Sequence, residues 1–367
     1  MEDDSENVVF YEAILKNLRI LSSVFWSFPF TYVSKIFSGP GYNRTSKFEI
    51  FLTIFAVITT VVVFYHSFEF LRRILYKLYP VRLRGFLFGS RKSKHSWEYS
   101  KDNCFVYAIK GRRAKMEDRF SVIIDNESGI SLYGIFDGHG GEFASEFVEK
   151  HLFKELLKKL QEVVQNKPED KLTSEFARIL TDRILEIDVE LLAKVKAAKD
   201  VAGTTALVAI LYKNQLIVAN VGDSRGVICD SKGNAIPLSF DHKPDQLKER
   251  RRIHSAGGFI SFHGVWRVAG ILATSRALGD FPLKDRNLVI ARPDILNFDL
   301  QDLKPQFMIL ATDGLWDAFS NEESVDYVKK ECKRDICRAA RALTRQAFKS
   351  GSSDNITVLV VDFTKKT

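Results

Sequence analysis

Apolar and polar positions divide the chain into two unlike parts. The longest apolar run is early: IFLTIFAVITTVVVFY, from Ile50 to Tyr65, carries no charge. With His66, Ser67 and Phe68 it reaches nineteen residues, bounded by Glu49 and Glu69. As a helix rising about 1.5 Å per residue, this is about 28 Å, close to the roughly 30 Å hydrocarbon core of a bilayer. It is too long for a strand, and neither Gly nor Pro interrupts it. The pattern predicts a transmembrane helix over 50–68, against the alternatives of a buried core helix or a hydrophobic partner-binding helix. Residues 20–34 form a second, shorter apolar and aromatic stretch, broken by Pro29. It suits an interfacial segment or half of a membrane hairpin.

After Trp97 the apolar runs become short. Strand-length runs rich in Val, Ile, Leu and Phe cover 104–109, 119–124, 131–136, 205–212, 215–221, 226–229, 306–311 and 356–363. Turn signals such as Lys213-Asn214 and Ser231-Lys232-Gly233-Asn234 separate several of them. Helical stretches cover 142–164, 172–198, 322–328 and 335–348. Strands in hairpin-like groups and helices in blocks predict an α+β fold with antiparallel sheets. The domains read as an N-terminal segment (1–49), the span (50–68), a basic juxtamembrane linker (69–95) and one large domain (96–367).

Composition agrees with a folded chain: 46% hydrophobic and 27% charged residues exclude a disordered protein. Four scattered cysteines, none in a C-x-x-C pair, exclude a disulfide scaffold and argue against structural zinc. The net charge of +8 suggests nucleic acid until it is located. Residues 1–95 hold 13 Lys and Arg against 7 Asp and Glu, so the excess sits there and the large domain is near neutral. No nucleic-acid partner is expected. Eight of those cations follow the apolar run directly, which predicts a cytosolic large domain beside anionic lipid.

Carboxylates next to glycines stand at the ends of the predicted strands. They are Asp137-Gly138, Asp223 after Gly222, Asp313-Gly314 with Asp317, and Asp354; the acidic pair Glu117-Asp118 precedes another strand. Any one of these reads as a turn residue. Five such sites on one antiparallel sandwich converge, and clustered carboxylates repel unless a cation lies between them. An oxygen-only ligand set favours Mg²⁺ or Mn²⁺, in a site that activates water. Arg113, four residues before Glu117, suits bidentate contact with phosphate. His139, beside Asp137-Gly138, is placed to protonate a leaving oxygen. Together they point to phosphoester hydrolysis.

These residues lie in GRRAKMEDR (111–119), FDGHGG (136–141), AGTTA (202–206), ANVGDSR (219–225), DHKP (241–244), SRALGD (275–280), ATDGLWD (311–317) and SSDNIT (352–357). In this order and spacing, the set resembles the PP2C (PPM) family of metal-dependent protein serine/threonine phosphatases. The resemblance implies a sandwich of two antiparallel sheets flanked by helices. It implies two Mn²⁺ or Mg²⁺ ions with a weaker third, and direct attack of metal-activated water on phosphorus without a phosphoenzyme. Asp137, the Gly138 carbonyl, Asp313 and Asp354 would hold the metals. Glu117 and Asp118 would act through bound waters, and Asp223, Asp313 and Asp317 would form the third site. Arg113 would bind phosphate, His139 would be the general acid, and Asp280 is read as structural or as a support behind the site residues. The residues from 243 to 268 would contain a flap, with Lys248, Arg250, Arg251 and Arg252 either touching substrate or forming a solvated helix face.

The same resemblance implies phosphoserine and phosphothreonine proteins as substrates and a monomeric catalytic domain. With the apolar run, it suggests a membrane-anchored subgroup found on the endoplasmic reticulum. The alternative is a PP2C-fold scaffold that binds signalling partners with little turnover. Retention of the metal carboxylates argues for the active enzyme.

Overall fold

The computed structural model describes residues 96–331 and 336–364. The expected span over 50–68, with everything before Ser96, lies outside the described residues. Among those described, no helix is long and apolar enough to cross a membrane.

Two antiparallel sheets form the centre. The first is six-stranded and comprises β1 (Ser96–Lys101), β2 (Cys104–Ile109), β9 (Arg225–Cys229), β10 (Ala235–Pro237), β15 (Phe307–Ala311) and β16 (Ile356–Asp362). Its spatial order is β1-β2-β16-β15-β9-β10. The second contains β3 (Arg119–Asp125), β4 (Ile130–Phe136), β7 (Ala206–Tyr212), β8 (Gln215–Val221) and β14 (Asp294–Asp299), in the order β14-β8-β7-β4-β3. A short sheet lies outside both: β5 (Gly138–His139), β6 (Gly203–Thr204) and β13 (Leu278–Gly279). The hairpin of β11 (Ile260–His263) and β12 (Val265–Val268) stands apart.

The large sheets are buried on both faces, which explains their continuous apolar runs. In β7, Leu207 and Ala209 enter the core between the sheets, while Val208 and Ile210 face helices. In β15, Met308 and Leu310 point inward, and Phe307 and Ile309 point to the opposite helical layer. Each Leu or Ile buried this way contributes about 1.5–3 kcal/mol. The β7–β8 turn is Lys213-Asn214, as the sequence predicts, with Lys213 at φ +51°.

Long helices cover the five-stranded sheet: α1 (Phe143–Asn166) and α2 (Glu169–Ala198). Apolar residues three or four apart, such as Leu152, Leu156 and Leu160, or Leu180, Ile184, Ile187 and Leu191, face that sheet. After Pro168, Glu169 and Asp170 occupy the first turn of α2, favourable at the positive end of a helix dipole. The chain then forms α3 (Leu247–Ser255), the single turn α4 (Asp313–Trp316), α5 (Asn321–Glu331) and α6 (Ala339–Lys349). The last three pack on the six-stranded sheet. The layers are therefore helix, sheet, sheet, helix, the expected architecture.

The structure adds elements to the sequence reading. β1 and β14 are edge strands whose partly exposed pattern lacks an apolar run. In the expected flap region, α3 is followed by the β11–β12 hairpin. Arg250 and Arg251 are exposed on α3, but Arg252 is not a solvated residue. It reaches the Glu249 carboxylate and the carbonyl oxygens of Asn287, Leu288 and Ser275. It is a tie inside the fold.

Candidate active site

Strand ends deliver the acidic residues to one place. Asp137 directly follows β4. Its N–H donates to the Thr205 hydroxyl at 3.0 Å, and its carbonyl accepts the Thr205 N–H at 2.9 Å and the Thr204 hydroxyl at 3.1 Å. Gly138 is required by space. A Cβ there would lie 2.5 Å from the Glu117 carbonyl oxygen and 2.6 Å from Ser145 Oγ. Ser145 donates to that same carbonyl at 2.5 Å, closing α1 against the segment before β3.

Asp118 is buried at the start of β3. Its Oδ2 accepts hydrogen bonds from Thr312 at 3.0 Å and Thr357 at 2.7 Å, which lock it to both neighbouring strand ends. Asp313 opens α4 immediately after β15. Asp354 precedes β16 and accepts from Arg113 Nη2 at 2.6 Å. Asn355 clamps the loop opposite: its Nδ2 donates to the carbonyls of Lys110 and Lys115, and its Oδ1 accepts from Glu117 N–H at 2.7 Å. Asp223 is buried beside Lys243 Nζ at 2.5 Å. Asp317 lies one turn after Asp313, exposed at the rim.

The electrostatics show that these groups share a site. Burial pushes the Asp137 carboxyl well above its ordinary range, and Asp118, Asp313, Asp354 and Asp223 add to the shift. Burial does the same for Asp313, followed by Asp223, Asp354 and Asp317, while Lys243 opposes. Asp118 is pushed up to about 7 by burial, against the hydrogen bond from Thr357 and with Asp354 adding to the rise. For Lys243, burial would lower the pKa, but Asp223 outweighs it and the ammonium is held charged.

This cluster fits divalent cations. Asp313 Oδ1 is buried without a hydrogen-bond partner, a costly state for a carboxylate oxygen. Among the described residues, the ammonium of Lys243 and the guanidinium of Arg113 are the cations bonded to its carboxylates, and each faces one carboxylate, leaving Asp118, Asp137 and Asp313 without a cationic hydrogen-bond partner. The donors are all oxygens, the preference of Mg²⁺ and Mn²⁺. Among the described residues, no three acidic, His or Cys side chains already form a closed metal site. The cluster is an acidic recess that a cation would draw together.

Beside it, His139 Nε2 lies 2.8 Å from Asp280 Oδ2. Burial opposes protonation of this imidazole, but the Asp280 carboxylate outweighs it and the pKa is raised. Gly203 makes the pair possible, since a Cβ there would be 2.0 Å from Asp280 Oδ2 and 2.4 Å from His139 Nε2. Asp280 itself sits at φ +52° and is nearly buried.

The structure brings Glu117, Asp118, Asp137, Gly138, Asp223, Asp313, Asp317 and Asp354 together, with Arg113 and His139 at their side, while Lys248, Arg250, Arg251 and Arg252 lie on α3. Sequence reasoning missed several supports. Lys243, Asn355, Thr312 and Thr357 lie within or next to the quoted motifs, but their roles need three-dimensional contacts. Arg225 pairs bidentately with Asp241, at 2.8 Å for both bonds, over the Trp316 ring. Asp280, read as structural or as a support behind the site, orients a titratable imidazole.

The crowding predicts a stability signature. In EDTA, Asp137→Asn should melt about 2–5 °C above wild type near pH 8, since it removes one buried charge. A raised carboxyl pKa destabilises the fold as it ionises, so this gap should shrink toward pH 4, where wild-type Asp137 is protonated too. Adding Mn²⁺ should raise the wild-type melting temperature and leave Asp313→Asn nearly unmoved. Differential scanning calorimetry checks both, and a wild type indifferent to Mn²⁺ would exclude the metal-site assignment.

Comparison with known proteins agrees with this geometry. The profile of the family described as Protein phosphatase 2C matches residues 103–356. Protein phosphatase 1L of Bos taurus is 54% identical over 284 residues, covering 77% of this chain and 78% of that protein. Probable protein phosphatase 2C 69 of Arabidopsis thaliana is 44% identical over 279 residues, covering 76% and 72%. The crystal structure of serine-threonine phosphatase 2C from Toxoplasma gondii superposes with a TM-score of 0.64 at 26% identity, covering 73% of this chain and 98% of that one. With this match across the domain and the acidic recess at its strand ends, the chain belongs to the protein phosphatase 2C family and is a phosphoprotein phosphatase.

Proposed function

We propose that the domain hydrolyses phosphoserine and phosphothreonine in proteins with Mn²⁺ or Mg²⁺ in the acidic recess, and that it works from a membrane anchor. The observation that carries the catalytic part is the buried carboxylate cluster with its orphaned Asp313 oxygen, flanked by Arg113 and the His139–Asp280 pair. Asp137, the Gly138 carbonyl, Asp313 and Asp354 would hold two cations, Glu117 and Asp118 would act through their waters, and Asp223, Asp313 and Asp317 would hold a weaker third. Bound there, such ions supply Lewis acidity and an acidified water.

The side chains do the rest. Arg113 is largely exposed, and its planar fork suits two phosphate oxygens. His139 has Nε2 committed to Asp280, which leaves Nδ1 to face the substrate. Its raised pKa favours the imidazolium, which donates from Nδ1 to the leaving serine or threonine oxygen. Asp280 keeps that ring charged and aimed.

Three outcomes test these roles. Residues 96–367 should release phosphate from a phosphothreonine peptide with Mn²⁺ or Mg²⁺, lose activity in EDTA, and lose it in Asp137→Asn. A folded domain inert with both metals would favour the scaffold reading. Asp280→Asn should lower peptide turnover about 10- to 100-fold but spare p-nitrophenyl phosphate, whose leaving group needs no proton. Since Asp280 raises the His139 pKa, its loss should also move the alkaline limb of the kcat profile to lower pH. An unmoved limb would remove His139 as the acid.

The anchoring part rests on the uncharged run over 50–68 and the basic residues 72–94 after it. In this reading the span holds a cytosolic phosphatase domain against the bilayer, with the endoplasmic reticulum as its site. Confinement near membrane-bound substrates raises their effective concentration. Deleting residues 1–95 should release the protein from carbonate-washed membranes and weaken action on a membrane phosphoprotein, with peptide turnover unchanged. Equal action by both forms on the membrane substrate would dismiss the anchor's role.

A further inference from the structure

Helix α6 carries a basic stripe that the catalytic site does not use. Arg338, Arg341, Arg345 and Lys349 recur at three- or four-residue spacing, so they share one face. The opposite face, with Ala339, Leu343 and Ala347, is buried on the six-stranded sheet. No Asp or Glu interrupts the helix.

The stripe ends in a cleft. Arg338, Arg341 and Arg345 line a cavity of about 580 Å³ with Tyr99, Phe105 and Tyr107 of β1 and β2. The Arg341 guanidinium stands 5.2 Å from the Tyr107 ring centre, and that of Arg345 stands 6.0 Å away. Glu98 pairs with Arg341 and, among the described residues, is the one acidic residue lining the cavity. Arg345 has no carboxylate partner among the described residues. Stacking on tyrosine fixes a guanidinium plane while leaving edge N–H groups for an anion.

The other end of the stripe meets the catalytic site. Arg112 lies 4.4 Å over the Phe348 ring and donates to the carbonyl oxygens of Phe348 and Ser352. The next residue is Arg113, at Asp354. Basic groups thus run from the phosphate-binding arginine along α6 to the cleft.

We propose that this cleft is a second anion subsite, which binds an acidic or phosphorylated side chain of the protein substrate a few residues from the phosphoresidue being hydrolysed. The proposal rests on the phosphatase reading and adds a substrate class to it. Charge complementarity selects the occupant: Arg341 and Arg345 against one glutamate, continuous with a site for a phosphoprotein chain. The helical rise from Arg341 to Phe348 is about 10 Å, which an extended peptide at about 3.3 Å per residue spans in three residues. Adding the step to Arg113 places the second anion about four to six residues from the phosphoresidue.

The test uses the intact chain in detergent with Mn²⁺ and phosphothreonine peptides. These carry Ala, Glu or phosphoserine four to six residues away, on either side. Wild type should favour the acidic and doubly phosphorylated peptides by about fivefold to tenfold in kcat/KM, mainly through KM. The preference should vanish in Arg341→Ala/Arg345→Ala and in the single surface variant Arg345→Glu, with p-nitrophenyl phosphate turnover unchanged. Fluorescence anisotropy of an unphosphorylated acidic peptide reads the subsite without catalysis, so failure of the phosphatase reading and failure of the subsite are separable. Equal kcat/KM across the peptides in wild type overturns the proposal, as does unchanged acidic-peptide affinity in Arg345→Glu. Loss of binding to phosphatidylserine vesicles in the variants, with the peptide preference intact, would overturn it in favour of a lipid-facing surface.

Discussion

Mutual repulsion among buried carboxylates is the constraint around which this domain is built. Water would separate such groups, and a soft scaffold would let them turn away. Here several are held by hydrogen bonds from the surrounding fold. Asp118 is held by two threonine hydroxyls from different strand ends, Asp137 by backbone ties to Thr204 and Thr205, and Asp354 by Arg113. Asp223 alone has an ammonium beside it. The strain is electrostatic, and the rigid sandwich around it keeps the charges together.

The sandwich is suited to that task because the central strands of both sheets are buried on both faces. Strands fixed by packing above and below have ends with little freedom, and the acidic residues sit at those ends. The supporting bonds join segments far apart in sequence: Asn355 ties 110 to 117, and Arg225 ties Asp241 to Asn321. Glycine enters where a side chain would block the approach. At Gly314 a Cβ would lie 2.0 Å from the Asn355 carbonyl oxygen. Precision at the recess is therefore a property of the whole domain.

What was legible in the sequence follows the same physics. Central strands such as 104–109 and 215–221 stood out because doubly buried strands are apolar without a break. β1 and β14 did not, since an edge strand with one wet face has too few apolar positions to show. The acidic residues were legible because their Asp-Gly pairs bracket the strands. Their supports were not: a threonine or a lysine looks alike whether it faces solvent or a carboxylate across 194 residues of chain, as Thr312 does with Asp118. Arg252 was the sharpest case. Its neighbours Arg250 and Arg251 are exposed, and nothing local distinguishes the one arginine that the fold turns inward.

The charge balance also orders events at the site. Among the described residues, Lys243 and Arg113 are the cations hydrogen-bonded to the group Glu117, Asp118, Asp137, Asp223, Asp313, Asp317 and Asp354, while His139 is committed to Asp280. A phosphomonoester arrives as a dianion at neutral pH, and such a recess repels it. Arg113 cannot offset seven carboxylates, because its guanidinium is already engaged by Asp354. In the proposed reading, cations would enter before the substrate and change the sign of the field that it meets. Were Asp354 to hold a cation, Arg113 would be free to meet phosphate. On that proposal the Arg113–Asp354 ion pair is a resting contact, and filling the recess and freeing the arginine would be one event.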